Sequence, residues 1–546
     1  MILLTDERAL DPEVVGHKAA RLAAARRAGL PVPDGFVVPA EVSRPAMALG
    51  SRLLEEGGSG KARLAIARME LDPGLVETLE GAGRGLGGRL AVRSSTRVEV
   101  TSHWAGAFSS YLGIGPEEMA VALRGCWASA FTVDALGRAA RVGLSPGTIP
   151  IAALVQAELE PAAGGKTELH GDGGVVVTGT SGSPAALMSG WERGWRVRVG
   201  SNAVDGDAAL MKSVSLGELA ELARALHQAT GDDLLEWIWS GEGPFIVQCG
   251  RRPRPAEPPP RSIPDGLTLE MARRVARLAV RFPGPLGEEL VLPWALGLEV
   301  IPEAESIRSL TGAAAALAEA ENLVGHLAAG TWGLPPVRAR RAARSTIGSL
   351  HGPRPGAALR RLEGLRPADL PSMRRLLAHL NGVADFLVGR DVLPSRQSLW
   401  SLSLAEVRRV LTDEAPTPLR TSRSGPGPWE PFLFGVASAF GDHLEGIPAS
   451  SGMGAGPLRR VDDPEARPGP GPRSVLAIDV PLPRVAPLLW DAAGLVCAGG
   501  GPAAHLFDVA RSLVVPALAG CDHSGIPDGA LVAVDGAAGS AHWVRL

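Results

Sequence analysis

A run of prolines near the middle of the chain divides it into parts that cannot share one continuous sheet or helix. The run begins at Arg252-Pro253-Arg254-Pro255 and continues through Pro258-Pro259-Pro260. Proline lacks a backbone N–H and fixes φ, so this stretch is excluded from the interior of a helix or sheet. We expect a linker here, and 546 residues leave room for about three domains of ordinary size.

The part before the prolines alternates helical and strand patterns. Residues 16–29 are rich in Ala and Leu and stop at Gly29 and Pro31, which predicts a helix. Short apolar runs predict buried strands at 36–38, 90–92, 151–156, 175–178 and 245–248. We therefore predict an α/β domain over residues 1–258.

After the prolines the pattern changes twice. Helical patterns come first, at 267–281, 309–328, 356–364, 371–389 and 403–412. They predict a mostly α domain over 259–440. Short strand patterns then return at 475–478, 494–497 and 530–534, and they predict a small α/β domain over 441–546. The fold class expected for the whole chain is multidomain α/β.

Composition excludes several classes of function. The formal net charge of −3 is unlike that of a nucleic-acid-binding domain, which is clearly basic. No run of about 18 apolar residues is present, and the N-terminus lacks the basic and apolar regions of a signal peptide. The four cysteines form no CxxC pair, as in a protein with reduced thiols. We expect a cytoplasmic protein that binds neither nucleic acid nor membrane.

His505 is the histidine with the most suggestive surroundings. Gly499, Gly500 and Gly501 precede it and leave the backbone free to approach a ligand, and a helix is predicted to start at the histidine. A helix N-terminus favours anions, and a neutral imidazole is a competent nucleophile near pH 7. From these residues alone, both a histidine that caps a helix and a carrier of a phosphoryl group stay open. No GxxxxGK[ST] loop is present, so a nucleotide would not be bound by a P-loop.

Several short motifs, in a fixed order along the chain, carry a resemblance to a known family. They are Gly16-His17-Lys18-Ala19, Val92-Arg93-Ser94-Ser95 with Glu99, Leu235-Glu236-Trp237, Ile246-Val247-Gln248, Leu399-Trp400-Ser401-Leu402, Gly446-Ile447-Pro448-Ala449-Ser450 and the stretch from Gly499 to Arg511. Together they resemble the phosphoenolpyruvate (PEP) synthase, pyruvate phosphate dikinase and rifampicin phosphotransferase family. The resemblance implies an ATP-grasp-like nucleotide domain, a helical acceptor domain and a swivelling phosphohistidine domain.

The resemblance also implies a reaction and its residues. His505 would accept a diphosphoryl group from ATP, AMP would leave, water would remove the γ-phosphate, and the remaining phosphoryl would pass to a hydroxyl acceptor. The implied cofactors are ATP and Mg²⁺. The implied ATP-binding residues are Lys18, Arg93, Glu99, Gln156 and Arg251, the metal ligands are Glu236 and Gln248, and the histidine loop holds Gly499, Gly500, Gly501 and Arg511. An ion pair of Arg93 with Glu99 and a surface position for Lys18 stay open.

The same resemblance implies movement and a domain order. The ATP and acceptor sites of such enzymes are far apart, so the histidine domain must swing, and we expect hinges at 252–265 and 414–445. The chain ends at Leu546, soon after His505. We therefore expect no PEP/pyruvate barrel after the histidine domain, as in rifampicin phosphotransferase.

The sequence departs from the family pattern at four places. Ala503-Ala504 replaces the hydroxyl residues before the histidine, and Leu506-Phe507-Asp508 replaces the usual Ala-Ala-Ile after it. We expect the negative charge of Asp508 to repel phosphate. The stretch Ser181-Gly182-Ser183-Pro184-Ala185 lacks the usual acidic residue, and Gln248-Cys249-Gly250-Arg251 displaces the arginine of the family's Gln-x-Arg pattern.

Three functions stay open at this point. The first is a dikinase-type phosphotransferase acting on a small organic acceptor, in antibiotic inactivation or natural-product assembly. The second is a ligase-like condensation driven by the same phosphorylation, and the third is a nucleotide-binding pseudo-enzyme. Candidates for acceptor binding in the helical domain are Trp294, His326, Trp332, His379, Phe386, Arg396 and Trp400. The sequence determines neither the acceptor nor the oligomeric state.

Overall fold

The computed structural model divides the chain into two compact units. It describes residues 1–100, 102–205, 211, 214–241, 243–252, 268–281, 284, 286, 305–332, 370–393, 395–412, 430–462 and 473–546. One unit comprises Met1–Ala256, Asp479–Leu489 and Cys497–Val514, and the other comprises Glu257–Ile478, Trp490–Val496 and Val515–Leu546. His505 and its loop, assigned from the sequence to the third domain, thus belong to the first unit. The three-domain boundaries stay a prediction.

The first unit contains two antiparallel sheets. Their strands are β1 (Ile2–Leu3), β2 (Gly35–Val38), β3 (Leu90–Thr96), β4 (Ser110–Ile114), β5 (Ile151–Ala157), β6 (Ala163–Leu169), β7 (Val175–Ser181), β8 (Trp195–Arg198), β9 (Val204–Asp205), β10 (Leu234–Ser240) and β11 (Gly243–Gly250). One sheet has the strand order β1-β2-β5-β3-β4, and the other has the order β11-β10-β6-β7-β8-β9. The strands predicted from apolar runs all lie in these two sheets.

Helices cover both sheets of the first unit. They are α1 (Pro12–Arg27), α2 (Arg44–Arg68), α3 (Pro73–Leu86), α4 (Met119–Ala128), α5 (Val133–Val142), α6 (Ala185–Met188), α7 (Leu216–Thr230) and the histidine helix (His505–Ser512). Two apolar cores hold the layers together. One surrounds Trp195 and Trp237, and the other surrounds Trp127 and Phe131. Complete burial of side chains of this size contributes about 2–3 kcal/mol each.

Helix α1 is interrupted at Gly16, and the interruption aims the next residues at strand β3. Gly16 has φ 76° and ψ 160°, a conformation that glycine adopts without steric cost. A methyl group on Gly16 would lie 2.3 Å from the carbonyl carbon of Ser95, so no larger residue fits. Beyond the break, the backbone N–H of Ala19 donates to Ser95 Oγ at 3.1 Å. Lys18 is thereby held beside the end of β3.

The second unit combines helices with one mixed sheet. Its helices are α8 (Leu269–Arg281), α9 (Leu310–Trp332), α10 (Leu370–Val388), α11 (Leu404–Thr412) and α12 (Glu430–Phe440). Its strands are β12 (Asp442–Glu445), β13 (Ile447–Ser450), β14 (Met453–Arg460), β15 (Ser474–Ile478), β16 (Ala492–Cys497), β17 (Ala517–Ala519), β18 (Leu531–Asp535) and β19 (Ser540–Val544). The sheet order is β12-β19-β18-β14-β15-β16-β17-β13. These elements confirm the predicted multidomain α/β class.

Some predictions lie outside the described residues. They concern the helix at 356–364, the proline-rich linker from residue 253, the candidate hinges at 253–265 and 414–429, Trp294, and the side chains of His326 and Trp332. Among the helices that the structure describes, none combines the length and apolar character needed to cross a membrane.

Candidate functional site

A cleft in the first unit brings together most of the residues singled out from the sequence. The cleft contains about 640 Å³ of empty space, a volume that includes open solvent. Its lining residues are Lys18, Arg21, Glu99, Val100, Ser102, Trp104, Ala105, Leu234, Glu236, Gln248, Cys249, Gly250, Arg251, His505 and Asp508. The proposed phosphoryl carrier, both proposed metal ligands and three of the proposed ATP-binding residues therefore share one cavity.

Lys18 is held at the wall of this cleft by β3 and by Glu99. Its Nζ donates to Ser94 O at 2.9 Å and lies 3.2 Å from Glu99 Oε1. The other carboxylate oxygen of Glu99 accepts a hydrogen bond from the backbone N–H of Thr96 at 2.8 Å. Both charged side chains are largely buried, so Glu99 fixes the ammonium group with little screening by solvent. The partner of Glu99 is therefore Lys18, not Arg93.

Glu236 and Gln248 are direct cross-strand neighbours. Glu236 on β10 pairs with Gln248 on β11, and on its other side it pairs with Lys166 on β6. Residues in register on antiparallel strands share one face of the sheet, so all three side chains leave it on the same side. The carboxylate and amide oxygens are hard ligands of the kind that Mg²⁺ takes in nucleotide sites, together with phosphate oxygens. This pair of residues thus fits a Mg²⁺ ion.

Arg21 is a cleft residue that the sequence analysis did not single out. Its Nη1 donates to Asp232 Oδ1 at 3.1 Å, whereas Arg251, which was singled out, lies 3.9 Å from the same oxygen and is 68% exposed. A methyl group on Gly250 would lie 3.0 Å from Arg21 Nη1. Arg21 therefore fills the space beside residue 250, where the family's Gln-x-Arg pattern has an arginine.

Arg93 and Gln156 do not line the cleft. Arg93 Nη1 donates to Val247 O at 3.5 Å, and burial lowers the pKa of its guanidinium while the carboxylates of Glu236 and Glu158 raise it. Gln156 is buried in β5, and its Nε2 donates to Pro33 O at 3.2 Å. The structure bonds Arg93 to the strand that carries Gln248, and it bonds Gln156 to the loop before β2.

His505 opens the histidine helix and faces the cleft. Its imidazole packs against Gly106, since a methyl group there would lie 3.2 Å from the Cβ and Cδ2 atoms of His505. The helix has Ala504 as its N-cap, with no side-chain hydrogen bond to the first turn. The Nε2 atom of His103 lies 3.3 Å from Ser512 O, at the other end of the helix. The segment that carries His103 and Gly106 thus contacts both ends of the histidine helix.

Buried Arg138 holds that segment in place. Its guanidinium donates to the carbonyl oxygens of His103 and Ala105, each at 2.9 Å, and to Pro483 O at 3.0 Å. It also makes a bidentate ion pair with Asp134. The wall of the cleft against which His505 rests is therefore a fixed surface.

The three glycines before His505 approach the chain itself. A methyl group added to Gly499 would lie 2.8 Å from Asp479 O. One added to Gly500 would lie 2.6 Å from Pro481 Cγ, and one added to Gly501 would lie 2.6 Å from Arg193 O. From the sequence alone, these glycines predict close approach by a ligand. The structure gives a different reason, because neighbouring backbone and the ring of Pro481 leave no room for side chains in the loop. Arg511, at the other end of the helix, donates to Pro502 O at 3.2 Å and closes the loop.

Asp508 lies one helical turn after His505 and is compensated by two cations. Its Oδ1 accepts from Lys166 Nζ and, at 2.7 Å, from Arg511 Nη2, and Glu168 lies 3.8 Å from Arg511 Nη2. Burial raises the pKa of Asp508, but Lys166 and Arg511 hold it well below its usual range. The same balance, with burial opposed by Arg511 and Lys166, lowers the pKa of Glu168 to about 2. The sequence alone predicts that the negative charge of Asp508 repels phosphate. In the structure that charge is instead compensated by Lys166 and Arg511.

Lys166 and Arg21 are the charged residues that sequence reasoning missed. Lys166 is one of only four lysines in the chain, and that rarity is the only signal the sequence offers for it. Arg21 follows Lys18 by three residues on a helix, and that spacing places both on one face. Neither clue identifies a partner, because Asp508 and Gly250 are far away in the sequence.

Acceptor-binding candidates lie in the second unit. Phe386 lines a groove there with Glu305, Arg308, Asp385 and Arg390 among its neighbours. Trp400 and His379 are buried, and His379 Nδ1 lies 2.8 Å from Glu305 Oε2. Arg396 forms an ion pair with Asp385 at 2.6 Å. Of the described candidates, Phe386 is the one that faces this groove.

Comparison with known proteins finds a matching family model for each of two parts of the chain. Residues 12–206 match the family model described as pyruvate phosphate dikinase, AMP/ATP-binding domain, and residues 470–539 match that of the PEP-utilising enzyme, mobile domain. The first match contains Lys18 and Glu99, and the second contains His505.

Curated relatives match over shorter segments. A prodigiosin synthesizing transferase, PigC, of Serratia marcescens is 33% identical over 136 residues, which are 24% of this chain and 15% of the relative. A phosphoenolpyruvate synthase of Aeropyrum pernix is 32% identical over 184 residues, which are 29% of this chain and 22% of the relative. An uncharacterized protein of Mycobacterium tuberculosis is 34% identical over 160 residues, 29% of this chain and 18% of the relative.

The matched segments therefore span less than a quarter of each of these relatives. The two family models, which fall in the order expected from the sequence motifs, carry the assignment together with the phosphoenolpyruvate synthase. Residues 12–206 and 470–539 are therefore similar to the AMP/ATP-binding and mobile domains of the phosphoenolpyruvate synthase and pyruvate phosphate dikinase family.

Proposed function

We propose that this protein converts ATP to AMP and phosphate through a phosphorylated His505 and passes the remaining phosphoryl group to a small organic acceptor. One observation carries the proposal: Lys18, Glu236, Gln248 and His505 line a single cleft within one compact unit. The overall reaction would consume ATP, water and an acceptor hydroxyl and yield AMP, inorganic phosphate and a phosphorylated acceptor.

The cations of the cleft would bind the phosphates of ATP. Lys18 and Arg21 present fixed positive charges to the cavity, and Arg251 adds an exposed one at its edge. Such charges offset the repulsion between phosphate oxygens and stabilise the charge that develops during transfer. Arg93, which bonds to Val247 O on β11, would contribute through the electrostatic field.

Glu236 and Gln248 would hold Mg²⁺ through their side-chain oxygens. The ion would neutralise phosphate charge as a Lewis acid, which is the chemistry that Mg²⁺ supplies in phosphoryl transfer. Their adjacent register positions on β10 and β11 bring the two side chains to the same face without any rearrangement of the backbone. Lys166, the next residue in that row, is already neutralised by Asp508 and leaves Glu236 free to bind a cation.

We propose an antibiotic or natural product as the acceptor. The relative from Serratia marcescens is by name a transferase that synthesizes prodigiosin, which supports a natural product more than pyruvate. The groove at Phe386 combines an aromatic ring with charged groups, including Arg308 and Arg390, and such a lining suits a partly apolar ligand with anionic or hydroxyl groups.

A second candidate is a ligase-like condensation in which the phosphorylated acceptor reacts further, and the word synthesizing in the name of the same relative favours such a biosynthetic step. Product analysis separates the candidates. Wild-type protein and the Lys18→Ala and His505→Ala variants are incubated with Mg²⁺, ATP and a panel of hydroxylated antibiotics and pyrrole-containing natural products. AMP with a stable phosphorylated product supports the phosphotransferase, and AMP with a condensed product supports the ligase. If the protein binds ATP but forms no AMP with any acceptor, the result would favour a nucleotide-binding pseudo-enzyme.

A further inference from the structure

The imidazole of His505 and the carboxylate of Asp508 face each other on one turn of the histidine helix. His505 Nδ1 lies 3.7 Å from Asp508 Oδ2. This nitrogen is buried and, among the described residues, has no hydrogen-bond partner. The Asp508 side chain is 8% exposed, so little water competes for the space between the two groups.

The carboxylate is held in place from the opposite side. Its other oxygen, Oδ1, accepts from both Lys166 and Arg511, so Oδ2 is left to face the imidazole. Lys166 comes from β6 and is almost completely buried, and Glu168, two residues further along that strand, balances Arg511. The four charged groups sum to zero, which permits a charged carboxylate to stay ionised in this interior.

We propose that Asp508 is the positioning residue of His505 and keeps the proton of its neutral imidazole on Nδ1. The inference rests on the proposed function. With the proton on Nδ1, the lone pair of the ring lies on Nε2, the nitrogen that is free to act as nucleophile. The usual residue of the family at this position is apolar, so the orientation of the histidine by a carboxylate would be particular to this chain.

The contact between Asp508 and His505 matters when the Nε2–phosphorus bond forms. The lone pair of Nε2 attacks the β-phosphorus, and the bond from that phosphorus to the oxygen of AMP breaks, with the electron pair going to AMP. The ring becomes cationic in this step, and the carboxylate of Asp508 stabilises that charge without taking the proton. Carboxylate–histidine contacts that are long in the absence of substrate commonly shorten in the loaded complex.

The competing explanation is that Asp508 serves only to attach the histidine helix to β6. The Lys166–Asp508 ion pair joins the histidine helix to β6, and it could serve that purpose alone. Replacing a buried ion pair by apolar residues of similar size is often neutral or stabilising, so the two roles are separable. The Lys166→Met/Asp508→Leu double variant replaces the ion pair between helix and strand by an apolar contact, and it removes the charge that faces His505 together with its Lys166 counterion. Arg511 retains Glu168 as a partner.

Two measurements test the proposal. The first is ¹⁵N NMR of histidine-labelled protein, in which the His505 signals are assigned by comparison with His505→Ala. We expect the Nδ1–H tautomer in the wild type and its loss in Asp508→Asn and in the double variant. Because the spectra need no ATP, this readout tests Asp508 even if the proposed reaction fails.

The second measurement is the rate at which label from [β-³²P]ATP enters the protein. We expect Asp508→Asn and the double variant to be slower than wild type by about 10²- to 10³-fold, the usual range for a lost acid–base or orienting partner. A double variant that melts within a few degrees of wild type, keeps the Nδ1–H tautomer and labels at the wild-type rate would overturn the proposal in favour of docking. An unlabelled wild type would instead count against the proposed function.

Discussion

The guanidinium of Arg21 occupies the space that a side chain on Gly250 would need, with Nη1 3.0 Å from the position of its first carbon. The family pattern has an arginine at this site, two residues after the glutamine that here is Gln248. Arg21 reaches the same place from helix α1 and is fixed by Asp232. An arginine side chain therefore lies beside residue 250, although it comes from a position more than 200 residues away in the sequence.

Arg21 provides the first prediction. Arg21→Gln removes a cation from the cleft, and we expect ATP to bind about 10- to 100-fold more weakly, which corresponds to the loss of one charge-assisted contact. Isothermal titration of the protein with a non-hydrolysable ATP analogue and Mg²⁺ measures the change. The matched control is Arg251→Gln, which removes an exposed arginine and should weaken binding about threefold or less.

A second-site variant makes the prediction about Arg21 more demanding. Arg21→Gln/Gly250→Arg restores an arginine at the family position, and beyond Arg21 no atom lies within 4 Å of the first carbon of the new side chain. We expect the double variant to recover most of the lost affinity. Equal binding by Arg21→Gln and wild type would contradict the assignment, as would a double variant no better than the single one.

Glu236 and Gln248 provide the second prediction. Glu236→Ala/Gln248→Ala removes both cross-strand oxygens, and we expect the Mg²⁺ concentration for half-maximal AMP formation to rise at least about tenfold, because the remaining ligands would be phosphates and water. The Glu41→Ala variant, at an exposed position outside the cleft, is the control. An unchanged Mg²⁺ requirement would remove the two residues from the metal site.

Gly16 provides the third prediction. Gly16→Ala places a methyl group 2.3 Å from the backbone of Ser95, and we expect a free energy of unfolding lower by at least about 2 kcal/mol, together with weaker ATP binding as Lys18 moves. Gly29 has a similar φ of 80° but no atoms within 4 Å. Gly29→Ala therefore measures the cost of a positive φ without a steric clash, about 1–2 kcal/mol. Equal effects in denaturant unfolding would show that the contact with Ser95 is unimportant.

Glu168 provides the fourth prediction, a dependence of stability on pH. Its ordinary pKa of 4.5 falls to about 2 in the folded protein, through Arg511 and Lys166 acting against burial. Between these values the unfolded chain binds a proton at residue 168 and the folded chain does not. The stability that Glu168 contributes is therefore complete above pH 4.5 and is lost as the pH falls towards 2.

Thermal unfolding across this pH range measures the effect. We expect the difference in midpoint between wild type and Glu168→Gln to be largest above pH 4.5 and to shrink towards pH 2. Glu77→Gln, at an exposed position, should show no such trend. A constant difference between wild type and Glu168→Gln would mean that the charge of Glu168 is not what Arg511 and Lys166 stabilise.

Local patterns predicted the elements well because they depend on neighbouring residues. The apolar runs that include Val92, Leu154 and Val177 form buried strands, and the histidine helix begins at His505 as expected. Motif order also selected residues such as Lys18 and Glu236, which the fold brings to one cleft. These features need no knowledge of which distant residues meet.

Partners across long sequence distances were not predictable. Asp508 was expected to act as an isolated charge because nothing near it in the sequence announces Lys166, 342 residues away. The glycines of the histidine loop were attributed to a ligand, since a sequence does not show that Asp479 O and Arg193 O already fill the space. Nothing in the sequence around Gln156 indicates that its side-chain amide donates a hydrogen bond to Pro33 O.

The most direct test of the account is the fate of the two outer phosphates of ATP on His505. Wild type and His505→Ala are incubated with Mg²⁺ and ATP labelled separately at the β- and γ-phosphates. We predict an acid-labile, base-stable β-label on the wild type alone, with γ-label released as inorganic phosphate and AMP formed. Bound ATP with no protein label and no AMP, with candidate acceptors present, would contradict the phosphohistidine reaction.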